Sequence, residues 1–374
     1  MSSDFQIVGG GVIGLLTARE LALAGATVTV IERATCCREA SWAGGGIVSP
    51  LYPWRYSAAV TALASQAQAS YPGLCAALLA ETGIDPEHEV TGLLMLDAED
   101  APEALLWART AGKPMSEWLG SALYRQESAL ASGFRHALWM PTIANVRNPR
   151  LGQALTASLR RHPRVTLLEN TRMLGVDWVA DKGVRRVRAL QLEEAGGQRR
   201  LPVSQVIVAA GAWSGRLLEQ AQISVPVAPV KGQMLLFETP RRLLHSIVLH
   251  AGRYLIPRRD RHILVGSTLE YADFDKTTTE QARESLQASA IAMLPALADL
   301  PVKQHWAGLR PGAPQGIPCI GTLPGWDNLH LNAGHFRNGL VLAPASARLL
   351  ADLLLGRVPV IDPASYAPGL TVSI

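Results

Sequence analysis

A chain of 374 residues exceeds what a single hydrophobic core usually fills, so two joined domains are expected. Hydrophobic residues make up 48% and charged residues 18%, the balance of a well-buried globular protein, which excludes a disordered or fibrous chain. The 35 basic and 31 acidic residues leave a net charge of +4, too small and too scattered to indicate a nucleic-acid partner. No apolar run reaches the roughly eighteen residues a membrane span needs, because Arg19 and Glu20 interrupt the best N-terminal candidate. The fold begins near residue five, which leaves no room for a cleavable signal peptide, so a cytoplasmic protein is expected. Of the 4 cysteines, Cys36 and Cys37 are adjacent and Cys75 and Cys319 stand apart. Adjacent cysteines rarely meet disulfide geometry, and without a Cys-x-x-Cys pair neither a disulfide framework nor a metal site is expected.

The N-terminal segment carries the strongest local signal. An apolar strand, Phe5 to Val8, runs into Gly9-Gly10-Gly11-Val12-Ile13-Gly14, then a helical stretch from Leu15 to Ala24, a second strand from Thr27 to Ile31, and Glu32. This strand, turn, helix and strand unit suits a dinucleotide: Gly9 permits the tight turn, Gly11 clears the backbone for a pyrophosphate, and Gly14 lets helix and strand pack closely. The helix start offers free N–H groups and partial positive charge to phosphates, and Glu32 is placed to accept from a ribose hydroxyl. The motif alone names a cofactor class and leaves the reaction open.

Further along, Ala40-Ser41-Trp42-Ala43-Gly44-Gly45-Gly46 predicts close backbone approach to a ligand, since three successive glycines seldom serve a core. Apolar spacing predicts a helix over 58–82, a strand over 90–96, helices and loops over about 99–130, a helix over 151–160 and a buried strand over 165–168. Gln205 to Ala210 followed by Gly211-Ala212-Trp213-Ser214 repeats the N-terminal logic of a buried strand ending in glycine. From Val227 to Trp306 short alternating strands predict an antiparallel sheet, with Arg310 in a turn beyond a strand ending near Trp306. The chain closes with a strand at 329–333, the loop Gly334-His335-Phe336-Arg337-Asn338-Gly339 and a helix from about Leu340. The expected fold is α/β: a Rossmann-like cofactor domain with a parallel sheet, from 1–85, 145–226 and 311–374, and an inserted antiparallel-sheet substrate domain, from 86–144 and 227–310.

These pieces together resemble the flavin-dependent D-amino acid oxidase family over nearly the whole length, closest to its bacterial glycine oxidases. The carriers are the Gly9 to Gly14 turn with Glu32, the 40–46 segment, the strand end at Gly211 to Ser214, Val230 to Gln233, Tyr254 to Arg258, Trp306 to Gly312 and Gly334 to Gly339. The resemblance implies noncovalent FAD, a small amino acid substrate, oxygen as acceptor, a homotetramer, and thiamine thiazole synthesis as pathway. It implies that Arg310 binds the substrate carboxylate, with Tyr254 beside it and Arg337 near the pocket mouth. For FAD it implies Gly9, Gly11, Val12, Ile13, Gly14, the Glu32 and Arg33 pair, Ala40, Ser41, Gly44, Gly45, Gly46, Met173, Gly211 and Trp213. The loop and helix start from His335 and Phe336 through Arg337, Asn338, Gly339 and Leu340 to Val341 would face the flavin pyrimidine. Leu269 and Gly46 stand where relatives carry pocket methionines, and Cys319 is offset from the cysteine by which monomeric sarcosine oxidases hold flavin covalently.

The chemistry of the candidate residues accords with this. Arginine grips a carboxylate through two parallel charge-assisted hydrogen bonds and stays charged, and Tyr254 can add a phenol donor. On the residues alone, Arg310 also reads as a surface arginine in a loop and Tyr254 as an ordinary strand aromatic. No paired carboxylates, metal cluster or activated nucleophile stand out, as suits hydride transfer, which asks mainly for orientation. The alternative is a dehydrogenase of the same fold passing electrons to a quinone or protein acceptor.

Overall fold

The computed structural model describes residues 3–219 and 221–369, so the extremes of the first and last expected segments, and position 220, lie outside the described residues. A six-stranded sheet runs in the order Cys319–Thr322, Leu329–Ala333, Gln205–Val208, Phe5–Val8, Val28–Ile31, Val165–Leu168. All neighbours are parallel except the edge pair Cys319–Thr322 and Leu329–Ala333. Helices Val12–Leu23, Ala58–Thr82, Asn148–Arg161 and Gly339–Leu354 pack on one face. The other face is covered by a three-stranded meander, Arg172–Asp181, Val184–Glu194 and Gly197–Pro202, whose Val187, Leu190 and Leu192 meet Val8, Ile31, Val206 and Val208. Burial on both faces explains why the central strands read as unbroken apolar runs. The meander has no counterpart in the sequence reading, because its strands are largely exposed and rich in arginine and glutamate.

The second sheet has eight strands, in the order Val302–Gly312, Ala228–Glu238, His262–Gly266, Arg253–Pro257, Ile247–His250, Leu93–Leu96, His136–Met140, Ser116–Leu119. It is antiparallel but for one parallel pair, Ile247–His250 with Leu93–Leu96, so the wholly antiparallel expectation is corrected there. The expected strand over 90–96 is two strands, Glu89–Val90 and Leu93–Leu96, broken at Gly92, whose φ of +68° and tight contact with the Trp139 ring leave no place for a side chain.

Arg310 is also relocated. It lies within the strand Val302–Gly312, opposite Val230, and Pro311 faces Pro229 across the ladder. The strand forms the sheet edge, and its neighbour meets the next strand only from Met234 onward. Prolines turned outward at such a pair forfeit no ladder bond, so the Pro-Gly signal did not end the strand.

Candidate active site

The carboxyl ends of the parallel strands converge on one cavity of about 380 Å³. Such a crevice, outside the strand ends and beside a glycine turn, is where open α/β sheets bind ligands. The turn after Phe5–Val8 supplies Gly9, Gly11, Val12 and Ile13 to its wall, the strand ending at Ile31 supplies Glu32 and Arg33, and Gly211 and Trp213 follow Gln205–Val208. Ala40, Ser41, Gly44, Gly45, Gly46 and Met173 line it, as do His335, Phe336, Arg337, Gly339, Leu340 and Val341. Arg310 and Tyr254 reach it from the eight-stranded sheet. Two residues of the expected set do not line it. A side chain on Gly14 would meet the Gly9 carbonyl oxygen at 2.0 Å, so this glycine serves close packing of helix on strand. Asn338 is buried within the short helical turn Phe336–Asn338.

At the dinucleotide end, Gly9 has φ +115°, and a side chain there would collide with Ala209 at 2.4 Å. Glu32 accepts from the Gly10 N–H at 2.8 Å and the Ala34 N–H at 3.0 Å, so its carboxylate is locked at the strand end with lone pairs to spare. Ser41 Oγ accepts from the Val12 N–H at 2.9 Å. The helix Val12–Leu23 has no acidic residue in its first turn, and its next amides have no intrahelical acceptor. Residues and geometry therefore fit a dinucleotide pyrophosphate on the helix start with a ribose at Glu32.

At the other end, a row of strand glycines makes room for large side chains. Gly232 lies diagonally across from Arg310, and a side chain on it would meet the guanidinium at 2.1 Å. Gly266 pairs with both Tyr254 and Met234, so the Tyr254 ring crosses over it and its hydroxyl reaches Met234 Sδ at 3.4 Å. Arg310 donates to the Lys231 carbonyl at 3.1 Å and to Ser267 Oγ at 2.8 Å. No carboxylate of the described residues pairs with it. Glu270, the acid in its field, is taken up by Lys231, Gln233 and Thr268. Burial, reinforced by the neighbouring Arg337 and Arg253 cations, pulls the Arg310 pKa below the usual arginine value, with Tyr254 and Glu270 opposing. A cation in that setting gains most from an incoming anion.

His335 is held neutral: burial pushes its pKa down to about 3, and its Nε2 lies 3.1 Å from Ser346 Oγ. Arg258 is buried behind the Gly44 to Gly46 turn and donates to the Gly45 carbonyl at 2.7 Å, Asn145 Oδ1 at 2.7 Å and the Val146 carbonyl at 2.9 Å. It fixes the turn that lines the cavity.

The pocket-methionine positions are corrected. Leu269 is 44% exposed and does not line the cavity. Gly46 has φ +80°, and a side chain there would run into the Val146 carbonyl oxygen at 2.1 Å. The methionine that lines the cavity beside Tyr254 is Met234. Trp306 does not line the cavity; it donates to the Ala43 carbonyl at 3.1 Å and stands edge-on to Trp42. Ser267, Met234, Gly232 and Gly308 were missed as lining residues, although glycines inside alternating strands are a readable sign of close approach. Cys319 does not line the cavity.

The model of the FAD dependent oxidoreductase family matches residues 4–353. A glycine oxidase of Pseudomonas aeruginosa is 55% identical over 98% of this chain and 99% of its own. The bifunctional protein ThiO/ThiG of Trichormus variabilis is 31% identical, covering 95% of this chain and 53% of that longer protein. The crystal structure of glycine oxidase from Geobacillus kaustophilus superposes with a TM-score of 0.89 at 29% identity, over 100% of this chain and 99% of that one. With a dinucleotide cradle at one end of the cavity and an unpaired arginine at the other, the chain belongs to the family of FAD dependent oxidoreductases.

Proposed function

We propose that this protein is an FAD-dependent glycine oxidase, which converts glycine and other small amino acids such as sarcosine to the keto acid, hydrogen peroxide and the released amine, ammonia from glycine and methylamine from sarcosine. The observation that carries the reading is Arg310: a part-buried guanidinium on the cavity wall, oriented by Ser267 and the Lys231 carbonyl, with no protein carboxylate as partner. Its remaining N–H groups would take the substrate carboxylate, and the Tyr254 hydroxyl, whose protein partner is a thioether, would donate a further bond. Arg337, exposed at the cavity and without an ion-pair partner among the described residues, would stand at the mouth.

FAD, when bound, would supply the acceptor for the hydride of the substrate α carbon and the route of the electrons to oxygen. The chain would hold it by the Gly9 to Ile13 turn, Glu32 and Arg33, the Gly44 to Gly46 turn, Met173, the Gly211 strand end and the His335 to Val341 segment. The start of the helix Gly339–Leu354 would offer its amides to negative charge. The imino acid then hydrolyses in water.

The five-segment division of the chain into cofactor and substrate domains is the reading that sheet membership supports. No helix among the described residues is long and apolar enough to cross a membrane, and we place the enzyme in the cytoplasm. A homotetramer and a role in thiamine thiazole synthesis follow from the family resemblance. Purified protein carrying FAD, offered glycine, sarcosine, D-alanine and D-proline with peroxide release as the readout, tests this. Peroxide from glycine or sarcosine is expected. Turnover appearing only with an added quinone would move the protein to the dehydrogenases.

A further inference from the structure

An element from the other sheet docks on residues that line the cavity's dinucleotide end. After the strand His262–Gly266 the chain leaves the eight-stranded sheet and returns to it at the helix Glu280–Met293. Gln233, fully buried, gathers both ends of the intervening loop: its side chain donates to Glu270 at 2.9 Å and accepts from the Thr279 N–H at 3.0 Å. Lys231 adds a second anchor, with mutual backbone hydrogen bonds to Glu270 and its buried Nζ 2.9 Å from Asp275. Residues 270–279 therefore form a closed Ω loop with pinned ends.

At the tip of this loop Asp275 is held back to Lys231 of its own sheet, while its neighbours Phe274 and Lys276 reach away from that sheet. Phe274 stacks on Trp213, with centroids 5.5 Å apart and planes inclined by 32°. On Trp213 lies the guanidinium of Arg33, 3.8 Å from the ring centroid, while Arg216 lies 5.5 Å from the Phe274 ring. Lys276 donates to Glu39 at 3.0 Å, and Glu39 in turn accepts from Arg33 at 2.8 Å. Arg33, Glu39, Trp213 and Arg216 all line the cavity, and Arg33 follows Glu32, the ribose candidate.

We propose that the 270–279 loop is a cofactor clasp: Phe274 and Lys276 dock on Trp213 and Glu39 to close the adenosine end of the FAD site, and FAD exchange requires the loop to lift. This rests on the FAD half of the proposed function and is independent of the substrate. The clasp is built to open. Its two latches are a part-exposed aromatic contact and an exposed ion pair, each weak alone, on a loop whose base stays fixed. The loop also begins three residues after Ser267, which holds Arg310.

The test is the rate of FAD release from the holoenzyme, followed as the rise of flavin fluorescence after dilution. Phe274→Ala is expected to speed release about tenfold, and Lys276→Glu about threefold, with Lys276→Arg restoring the parent rate. Salt should accelerate release from the parent more than from Lys276→Glu, because it screens the Lys276 and Glu39 pair. Melting of each variant at saturating FAD separates loop opening from loss of fold, and unchanged melting is expected. Release rates of both variants within twofold of the parent overturn the clasp. A parent that binds no FAD overturns the cofactor reading itself.

Discussion

Ser267 joins two arginines: its hydroxyl accepts from Arg310 Nη2 at 2.8 Å, and its carbonyl accepts from an Arg253 Nη. A guanidinium has a rigid fork, so fixing one arm sets the direction of the others. Ser267→Ala should raise KM for glycine about tenfold or more, the worth of one hydrogen bond to a charged group, and change kcat less than twofold. Steady-state kinetics read this split, and an unchanged KM shows that Lys231 alone orients the arginine.

Tyr254 places its hydroxyl against Met234 Sδ, a poor acceptor, at 3.4 Å in a buried setting. Its removal costs the fold little. Tyr254→Phe should leave the melting temperature within about 2 °C, since under 0.5 kcal/mol is lost, yet weaken substrate binding several-fold. A large melting shift with unchanged KM would assign the phenol to the core.

Much of this was readable from the chain, for physical reasons. The dinucleotide turn is local: Gly9, Gly11, Gly14 and Glu32 act through spacing within one strand, helix and strand unit, and the structure keeps that spacing. Arg310 and Tyr254 came through long motifs, but the means of orienting them did not. Ser267, Gly232 and Gly266 meet these residues only because of cross-strand register, and register is set by the whole sheet. Gly46 misled for the same reason: its left-handed backbone and the Val146 carbonyl that fills its side-chain space come from a distant segment.

Arg258 gives a stability prediction. Its buried guanidinium holds the Gly45 and Val146 carbonyls and Asn145. Arg258→Met leaves these acceptors buried and unpaired, at about 1–3 kcal/mol each, so a destabilisation of about 3 kcal/mol or more is expected in urea unfolding. Apparent FAD affinity should fall with it, because the turn lines the cavity.

Two neutral histidines set an acid limit. Burial pushes His335 down to about 3 and His330 to about 4, while in the unfolded chain each takes up a proton near pH 6.5. Unfolding thus binds protons between these values. Their contribution to stability is complete above pH 6.5 and is lost as pH falls toward 4, by about 1.4 kcal/mol per unit for each histidine. Urea unfolding from pH 7 to 4.5 should show this slope, and a flat profile would mean that the imidazoles are protonated in the fold.

The most direct measurement compares FAD-loaded parent and Arg310→Ala, with flavin content confirmed in both, for peroxide released from glycine. A guanidinium that grips the substrate carboxylate is worth about 3 kcal/mol here, so kcat/KM should fall at least about 100-fold while FAD stays bound. Glycine turned over equally well by both proteins would contradict the assignment of Arg310.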